Sequence, residues 1–266
     1  ATKANLTTLQ DRGVDVVLPL SGGVACGDVG NGRLADSFQI TSRILKAISP
    51  KDLTGKRILL TLGPTREPFD AVRFWSNPST GLMGACLAIS AWMRGADVTV
   101  IAGTTAVAFP DGIEVINVQT ALEMHAAVIE RWSEMDIGCA TAAVADFAPV
   151  PFLEGKFKKD GVDDPVSFSF TRNPDILRDM GKSKKADQYL IGFAAETDDL
   201  EGNGRGKLER KNLDMIVANF VGRPGTGFAS STNEIMLLDR EGRVETWPRL
   251  PKSEVAWRIW DHLLLI

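Results

Sequence analysis

The chain has 266 residues, of which 44% are hydrophobic and 24% are charged, so it can bury one large core or two small ones. Its 30 basic and 34 acidic residues give a formal net charge of −4, which argues against general affinity for nucleic acids or for membrane surfaces. No stretch reaches about 18 uninterrupted apolar residues, and three widely spaced cysteines do not suit a disulfide framework, so we expect a cytoplasmic protein without a membrane span.

Residues 1–50 contain too little apolar sequence for a core of their own. An apolar run at residues 14–20 predicts a strand, a glycine-dense loop follows it, and residues 37–48 have the spacing of a helix. The composition changes near Pro50. We therefore divide the chain into residues 1–50, the end of a preceding domain with its linker, and residues 51–266, the main domain.

Alternating strand and helix patterns begin at Lys56. Strand-like runs such as RILLTL and DVTVIAG alternate with segments of helical spacing, and this alternation predicts an α/β fold. We expect a Rossmann-like, mainly parallel sheet with helices on both faces. A polar segment at residues 149–164 interrupts the pattern. Two strand-like runs separated by Glu241 and Gly242 predict a β-hairpin near the C-terminus, followed by an amphipathic helix.

The loop at residues 63–84 lies between a buried strand and a helix, which is where open α/β sheets bind ligands. Arg66 and Arg73 supply forked donors that suit phosphate or carboxylate groups, although they could instead pair with Glu67 and Asp70. Neither a GxGxxG fingerprint nor a GxxxxGK loop occurs, so an ordinary NAD site or P-loop is not expected. Four residues can offer backbone N–H groups to an anion near the helix start: Gly63, Ser79, Gly81 and Gly84.

Three further patterns carry charge suited to a nucleotide. Asp146 ends a strand of small residues and could either hold a metal that bridges phosphates or cap the next turn. Lys156 begins the basic run KFKK, which fits a mobile lid over a triphosphate or a solvated surface loop. Lys207 and Lys211 are spaced i,i+4 on one helix face, where they could bind an anion between them or stand exposed at small cost.

A series of motifs extends from this loop into the last third of the chain: GPTREPFDAVRFWSNPSTGLMG, ALEMHAAV, AAVADF, KFKK, NPDIL, GFAAET and KNLD. Their order and spacing resemble the phosphopantothenoylcysteine synthetase family, the ligase half of the bifunctional coenzyme A biosynthesis flavoprotein of bacteria. The resemblance covers the chain from about Lys56 to the C-terminus. It departs from the family pattern at Leu82, where many relatives carry a lysine, and at Pro78, which follows the motif asparagine.

This resemblance implies a ligase that joins 4′-phosphopantothenate to L-cysteine. In the family, the carboxylate of phosphopantothenate attacks the α-phosphate of CTP and gives an acyl cytidylate and pyrophosphate. The amine of cysteine then displaces CMP. The resemblance also implies Mg²⁺ with the nucleotide and a homodimer. ATP, which the eukaryotic branch uses, stays open as the nucleotide, although the bacterial features favour CTP.

The resemblance assigns roles to individual residues. Asn77 is expected to hold the acyl cytidylate carbonyl, Lys156 to stabilise charge on the α-phosphoryl group, and Arg73 to orient the loop or the substrate phosphate. Asp146 is the expected Mg²⁺ ligand. The expected nucleotide-binding residues are Ala140, Thr141, Ala142, Asp146, Phe147, Lys156, Asn173, Pro174, Asp175, Ile176, Phe193, Lys207 and Lys211.

Residues 1–50 resemble the end of the flavin-dependent decarboxylase that precedes the ligase in the bifunctional protein. The run LSGGVACGDVGNGRL corresponds to its substrate clamp, and Cys26 falls on the cysteine that protonates the decarboxylated intermediate. We expect Cys26 to be idle unless the FMN-binding domain is also present. Three alternatives stay open: a bifunctional protein that also decarboxylates phosphopantothenoylcysteine with FMN, a Rossmann-like oxidoreductase that binds NAD(P) or flavin, and a non-catalytic remnant that dimerises or binds a flavoprotein partner.

Overall fold

The structure is a computed structural model that describes residues 1–23, 29–158, 167–196, 200–220 and 230–266. Its helices are α1 (Thr2–Asp11), α2 (Ser37–Ile48), α3 (Leu82–Met93), α4 (Ala121–Trp132), α5 (Ile176–Ser183), α6 (Leu200–Arg210) and α7 (Lys252–Leu263). Its strands are β1 (Leu20–Gly23), β2 (Val29–Arg33), β3 (Arg57–Leu62), β4 (Arg66–Pro68), β5 (Phe74–Ser76), β6 (Asp97–Ala102), β7 (Glu114–Asn117), β8 (Ile137–Ala140), β9 (Phe147–Val150), β10 (Ser169–Arg172), β11 (Tyr189–Glu196), β12 (Met215–Phe220), β13 (Thr232–Asp239) and β14 (Val244–Pro251).

The central sheet has eight strands in the order β14-β13-β12-β11-β8-β3-β6-β7. The six strands from β12 to β7 are parallel, and β13 and β14 extend the sheet in antiparallel pairs. The chain adds strands on one side of β3 and then on the other, so the strand order reverses between β3 and β8. The predicted α/β fold and C-terminal hairpin are confirmed, and the hairpin forms the edge of the main sheet.

Two apolar layers cover the sheet, one on each face. Along β3, Ile58, Leu60 and Leu62 belong to one buried cluster, and Leu59 belongs to the other. The first cluster includes side chains of α3 and α7, whereas the second includes side chains of α4 and α5. A strand buried on both faces reads as a continuous apolar run, which explains the sequence RILLTL. The predicted placement of helices on both faces is therefore correct.

The N-terminal region differs from its prediction. The strand expected at residues 14–20 is absent from the described structure except at Leu20, where the short strand β1 begins. Val14 and Leu18 are exposed, and none of the described strands pairs with this run. Helix α1 precedes it, has no buried residue and therefore lacks the apolar periodicity by which sequence reasoning finds a helix.

Helix α2 occupies the predicted residues and packs on the main domain. The Nε2 atom of Gln39 donates to the carbonyl oxygen of Phe109 at 3.1 Å, and the ammonium of Lys46 lies 4.1 Å from the ring centroid of Trp92. The side chain of Asp36 caps α2 by accepting the N–H of Gln39. The division of the chain at residue 50 stays a prediction. None of the helices in the described ranges is long and apolar enough to cross a bilayer.

Helix α3 lies unusually close to β3 because its third residue is a glycine. A Cβ atom at Gly84 would lie 2.3 Å from the Oγ1 atom of Thr141 and 2.5 Å from the Cβ atom of Leu62. The helix begins after Gly81, whose φ of 76° lies in the left-handed region that favours glycine. These two glycines bring the start of α3 to the ends of β3 and β8.

We expect Gly84→Ala to lower the free energy of unfolding by about 1–3 kcal/mol, because the added methyl group must displace β3 or the segment after β8. Urea denaturation followed by circular dichroism measures the change. Gly30→Ala is the matched control, since no atom lies within 4 Å of the Cβ position there. Equal stability of the Gly84 variant and the wild type would contradict the close packing of α3.

Candidate functional site

Two adjoining cavities open at the carboxyl ends of the parallel strands, where the strand order reverses. Their volumes are about 490 Å³ and 190 Å³. Ala142, Val144 and Phe193 line both, so the two cavities share a wall. This is the position at which open α/β sheets bind ligands. Together the cavities can take one extended ligand or two adjacent ligands.

The first cavity contains most of the predicted nucleotide-binding residues. Those that line it are Ala140, Ala142, Asp146, Phe147, Asn173, Pro174, Asp175, Ile176, Phe193 and Lys211. Thr141 lines the second cavity instead, and Lys156 and Lys207 line neither. Sequence reasoning missed two cations in the first cavity, Arg172 and Arg178. Arg172 directly precedes the NPDIL motif and Arg178 directly follows it, so their position next to this motif could have identified them.

Asn173 ties the strand-end segment to the start of α5. It is buried, its Nδ2 atom donates to the carbonyl oxygen of Ala145 at 2.8 Å, and its N–H donates to the carbonyl oxygen of Asp146 at 2.9 Å. These bonds hold the backbone on which Asp146 stands, while the Asp146 side chain remains exposed. Asn173 therefore shapes the cavity wall.

Asp175 caps α5 and also pairs with Lys211. Its Oδ1 atom accepts the N–H of Arg178 at 3.0 Å and lies 2.9 Å from the Nζ atom of Lys211. Burial works to raise the pKa of Asp175, but the hydrogen bonds from Lys211 and Arg178 outweigh it and hold the pKa below its usual range. Lys211 thus has an internal carboxylate partner, and Lys207, one turn before it, is half-buried outside both cavities.

The second cavity is built around the start of α3. Residues 79–84 line it, so the first backbone N–H groups of the helix and the positive end of its dipole face this space. Lys252, the first residue of α7, also lines it and is only 4% exposed. Burial lowers the pKa of Lys252, and an anion in the cavity would favour its charged form. The second cavity therefore suits an anionic group.

Two asparagines of the second cavity carry unsatisfied atoms. The Oδ1 atoms of Asn219 and Asn233 are buried and have no hydrogen-bond partner in the described part of the chain. A buried polar atom without a partner is costly, so a ligand or water that bonds to these amides would be favoured. Sequence reasoning missed Asn219, Asn233 and Lys252, because isolated polar residues at strand ends or after a proline carry no motif signal.

Asn77 holds the backbone that separates the two cavities. Its Nδ2 atom donates to the carbonyl oxygen of Val144 at 3.1 Å and, more weakly, to that of Ala143 at 3.4 Å. The Oγ atom of the neighbouring Ser76 donates to the carbonyl oxygen of Thr65 at 2.7 Å, and this bond joins two segments of the loop at residues 63–84. The side chain of Asn77 therefore lies at the shared wall, as a lining residue of the second cavity.

Arg73 is engaged with protein groups. Its guanidinium lies 2.6 Å from the Oδ2 atom of Asp70 and donates to the carbonyl oxygen of Phe157 at 2.7 Å. The alternative expectation of an Arg73–Asp70 pair is thus correct. Within the described residues Glu67 forms no salt bridge with an arginine, and it accepts the N–H of Ala121 at 2.9 Å instead, while the guanidinium of Arg66 lies 4.4 Å from the ring centroid of Phe74.

Lys156 is exposed beside this contact, and Cys26 lies outside the described residues. Within the described ranges, no group of three or more His, Cys, Asp or Glu side chains is arranged to hold a metal ion. Asp146 lines the first cavity as an exposed carboxylate. Mg²⁺ is commonly held by one or two carboxylates together with substrate phosphates, and Asp146 fits that pattern.

Residues 53–265 match the family model described as the DNA/pantothenate metabolism flavoprotein C-terminal domain. The chain belongs to this family. It is 43% identical over 264 residues to the coenzyme A biosynthesis bifunctional protein CoaBC of Vibrio cholerae, covering 99% of this chain and 66% of that protein. The chain spans about two thirds of the length of such relatives. The family assignment drawn from the motifs is confirmed.

Two solved structures have a similar fold. The crystal structure of the C-terminal domain of CoaBC is 37% identical, with a TM-score of 0.68 over 80% of this chain and 96% of that chain. A complex of a Cab2 mutant with phosphopantothenate-cysteine is 16% identical, with a TM-score of 0.61 over 83% of this chain and 90% of that chain. Because its identity is only 16%, the similarity to the Cab2 complex concerns the fold alone.

Proposed function

We propose that this chain is a phosphopantothenate–cysteine ligase, which joins 4′-phosphopantothenate to L-cysteine at the expense of CTP in coenzyme A biosynthesis. One observation carries the proposal: this member of the family has two adjoining cavities where its strand order reverses, one lined by most of the residues predicted to bind the nucleotide and one suited to an anion. The domain structure of CoaBC, 37% identical, supports it.

The chemistry requires activation of a carboxylate, which is a poor electrophile at neutral pH. The carboxylate oxygen of phosphopantothenate attacks the α-phosphorus of CTP, and pyrophosphate leaves. The nitrogen of cysteine then attacks the acyl carbon, loses a proton, and CMP leaves with the bond electrons. The protein contributes positions and charges, since these two displacements need no covalent bond to a side chain.

In this proposal the first cavity holds the cytosine and ribose, and the second holds the outer phosphates. Ala140 and Ala142 let the nucleoside approach the strand end, and Phe193 at the shared wall packs near the base. Lys211 meets the phosphates from the first cavity, while Lys252 and the start of α3 neutralise the outer phosphates in the second. Lys207, which lies outside both cavities, would contact the phosphates from the same helix face as Lys211.

The α-phosphorus would then lie at the wall shared by the cavities, beside Asn77. The Nδ2 atom of Asn77 makes its longer hydrogen bond, at 3.4 Å, to the carbonyl oxygen of Ala143. The carbonyl oxygen of an acyl cytidylate could take the place of this acceptor. Lys156 supplies charge to the α-phosphoryl group, and Arg73 orients the loop at residues 63–84 or the substrate phosphate. Mg²⁺, held by Asp146 and the nucleotide, would offset the charge of the phosphates.

The proposal includes a homodimer. Two antiparallel strand pairs, β4–β5 and β9–β10, carry exposed aromatic side chains, and the rings of Trp75 and Phe170 lie 5.5 Å apart between their centroids. Phe74 and Phe147 are also exposed on these strand pairs. A cluster of large exposed apolar groups is typical of a protein interface, and a second copy is the partner that the family implies.

We also propose that residues 1–50 are the end of a flavin-dependent decarboxylase domain and that the protein is cytoplasmic. Cys26 would act as a proton donor only together with the FMN-binding part of that domain. The CoaBC relatives, described as bifunctional and longer than this chain, support this interpretation.

The test is a pyrophosphate-release assay with the purified chain and Mg²⁺. We expect release that requires both CTP and 4′-phosphopantothenate, and formation of phosphopantothenoylcysteine only when L-cysteine is added. Omission of phosphopantothenate is the control for simple CTP hydrolysis. Release with ATP but not CTP would correct the nucleotide, and no release with either would overturn the ligase.

For Asn77→Asp we expect slow amide formation with accumulation of acyl cytidylate, because a carboxylate has no N–H for the acyl carbonyl or for Val144. Single-turnover experiments with radiolabelled CTP separate the two steps. Pyrophosphate release should stay within a fewfold of the wild type. An equal slowing of both steps would contradict the assignment of Asn77.

For Lys252→Met we expect the KM for CTP to rise about tenfold or more, since a charged hydrogen-bond donor to the outer phosphates is lost while the buried volume is kept. Steady-state kinetics and the thermal midpoint are measured together. Lys182→Met, an exposed lysine outside both cavities, is the control. An unchanged KM in a folded Lys252→Met variant would exclude phosphates from contact with Lys252.

A further inference from the structure

The backbone of Phe157, next to Lys156, is held on both sides by the loop at residues 63–84. Its N–H donates to the Oδ2 atom of Asp70 at 3.0 Å, and its carbonyl oxygen accepts from Nη2 of Arg73 at 2.7 Å. Asp70 and Arg73 are themselves joined through the Nε and Nη2 atoms of Arg73, at 3.0 and 2.6 Å. We call this arrangement the clasp.

We propose that the clasp positions Lys156 for the phosphoryl-transfer step, so that Asp70 and Arg73 are positioning residues for the reaction. The inference rests on the proposed function, because it presupposes that Lys156 acts on the α-phosphoryl group. Fixing both backbone groups of Phe157 restricts the two peptide planes that flank it. The peptide plane on its N-terminal side is the one that joins it to Lys156.

Asp70 is a rigid anchor for the clasp. Its side chain is buried, and its Oδ1 atom accepts the N–H groups of Val72 and Arg73 at 2.8 and 2.7 Å. Burial works to raise the pKa of Asp70, but Arg73 and the backbone N–H groups outweigh it and hold the pKa far below its usual range. A carboxylate with a lowered pKa keeps its stabilising charge until the pH falls through that value, so the clasp persists at neutral pH.

Further contacts attach the chain before Lys156 to the same loop. The N–H of Leu153 donates to the carbonyl oxygen of Phe69 at 2.9 Å, and the rings of Phe69 and Phe157 both lie against the ring of Phe168, at 5.1 and 5.8 Å between centroids. The guanidinium of Arg73 lies 5.0 Å from the ring centroid of Phe69. Lys156 therefore projects from a segment that is attached on each side of it.

One loop thus supports both groups that the proposed reaction uses. Asn77 stands four residues after Arg73 and contacts the wall between the cavities, while the clasp holds the segment of Lys156. A displacement of about 1 Å in a group that stabilises a transition state can cost up to about a hundredfold in rate. The clasp is the feature of this structure that would limit such displacement.

The test combines proteolysis with a double-mutant cycle. Arg73→Met removes the donor to Phe157, and we expect trypsin to cut after Lys156 and Lys158 several-fold faster under native conditions. We expect kcat to fall about tenfold with the KM for CTP nearly unchanged, and the thermal midpoint to fall because the buried Asp70 carboxylate loses its cationic partner. In a Lys156→Gln background the same substitution should cost less than twofold, because a positioning residue acts through the group that it positions.

Arg258→Met is the matched control. Arg258 is exposed to about the same extent as Arg73, pairs with Glu254 at 2.9 Å and lies 5.9 Å from the ring centroid of Trp247. It differs from Arg73 in lying on α7, outside both cavities. We expect neither the cleavage rate nor kcat to change in this variant. Asp70→Asn is a second clasp variant, which removes the charge of the anchor and keeps its shape.

Three results would overturn the inference. Equal losses of kcat from Arg73→Met with and without Lys156 would mean that Arg73 acts independently, and an unchanged trypsin rate would mean that the clasp does not restrain the segment. An unchanged kcat in Lys156→Gln alone would also overturn it. Failure of the ligase itself is recognised separately, by the absence of pyrophosphate release from the wild-type chain.

Discussion

The close contact of α3 with the ends of β3 and β8 decides where both cavities lie. Because Gly84 has no side chain, the helix can approach Leu62 and Thr141 closely, and its start then faces the reversal of strand order. The same approach brings the backbone N–H groups after Gly81 to the second cavity. A larger residue than glycine at position 84 would displace α3, and with it the positive end of the helix dipole that faces the second cavity.

The site gathers cations in a chain of net negative charge. Lys211, Arg172 and Arg178 surround the first cavity, and Lys252 lies in the second, whereas the formal charge of the whole chain is −4. Lys211 already pairs with Asp175, and the guanidinium of Arg178 lies 3.6 Å from the Oδ1 atom of Asp179, so the charge of these two cations is partly balanced before any ligand arrives. A nucleoside triphosphate and a phosphorylated acid are substrates that suit such an arrangement, and both belong to the proposed reaction.

The loop at residues 63–84 has three structural roles. It provides the start of α3, it places Asn77 at the shared wall, and it carries the clasp of Asp70 and Arg73. The resemblance to the family suggested that Arg73 orients the loop or the substrate phosphate. The hydrogen bonds favour an orienting role, directed at the segment of Lys156, since the guanidinium is already shared between Asp70 and Phe157.

The sequence by itself determined the α/β class, the main strands and helices from β3 to α7, and the family. It could do so because a buried parallel strand reads as a continuous apolar run and a helix as a 3.6-residue period, both of which are local patterns. The motif residues at positions 140–147 and 173–176 were also identifiable, because they form short contiguous segments.

Only the tertiary structure decided which polar groups meet across long separations in the sequence. Arg73 and Phe157 are 84 positions apart, and Lys211 and Asp175 are 36 apart, so no local pattern predicts either contact. Lys252 has no motif around it and reaches the second cavity only because α7 packs beside α3. The prediction of a strand at residues 14–20 was wrong because an apolar run becomes a strand only where another strand pairs with it, and that pairing is not visible in the local sequence. Such pairings depend on how distant segments pack, which is a property of the folded chain as a whole.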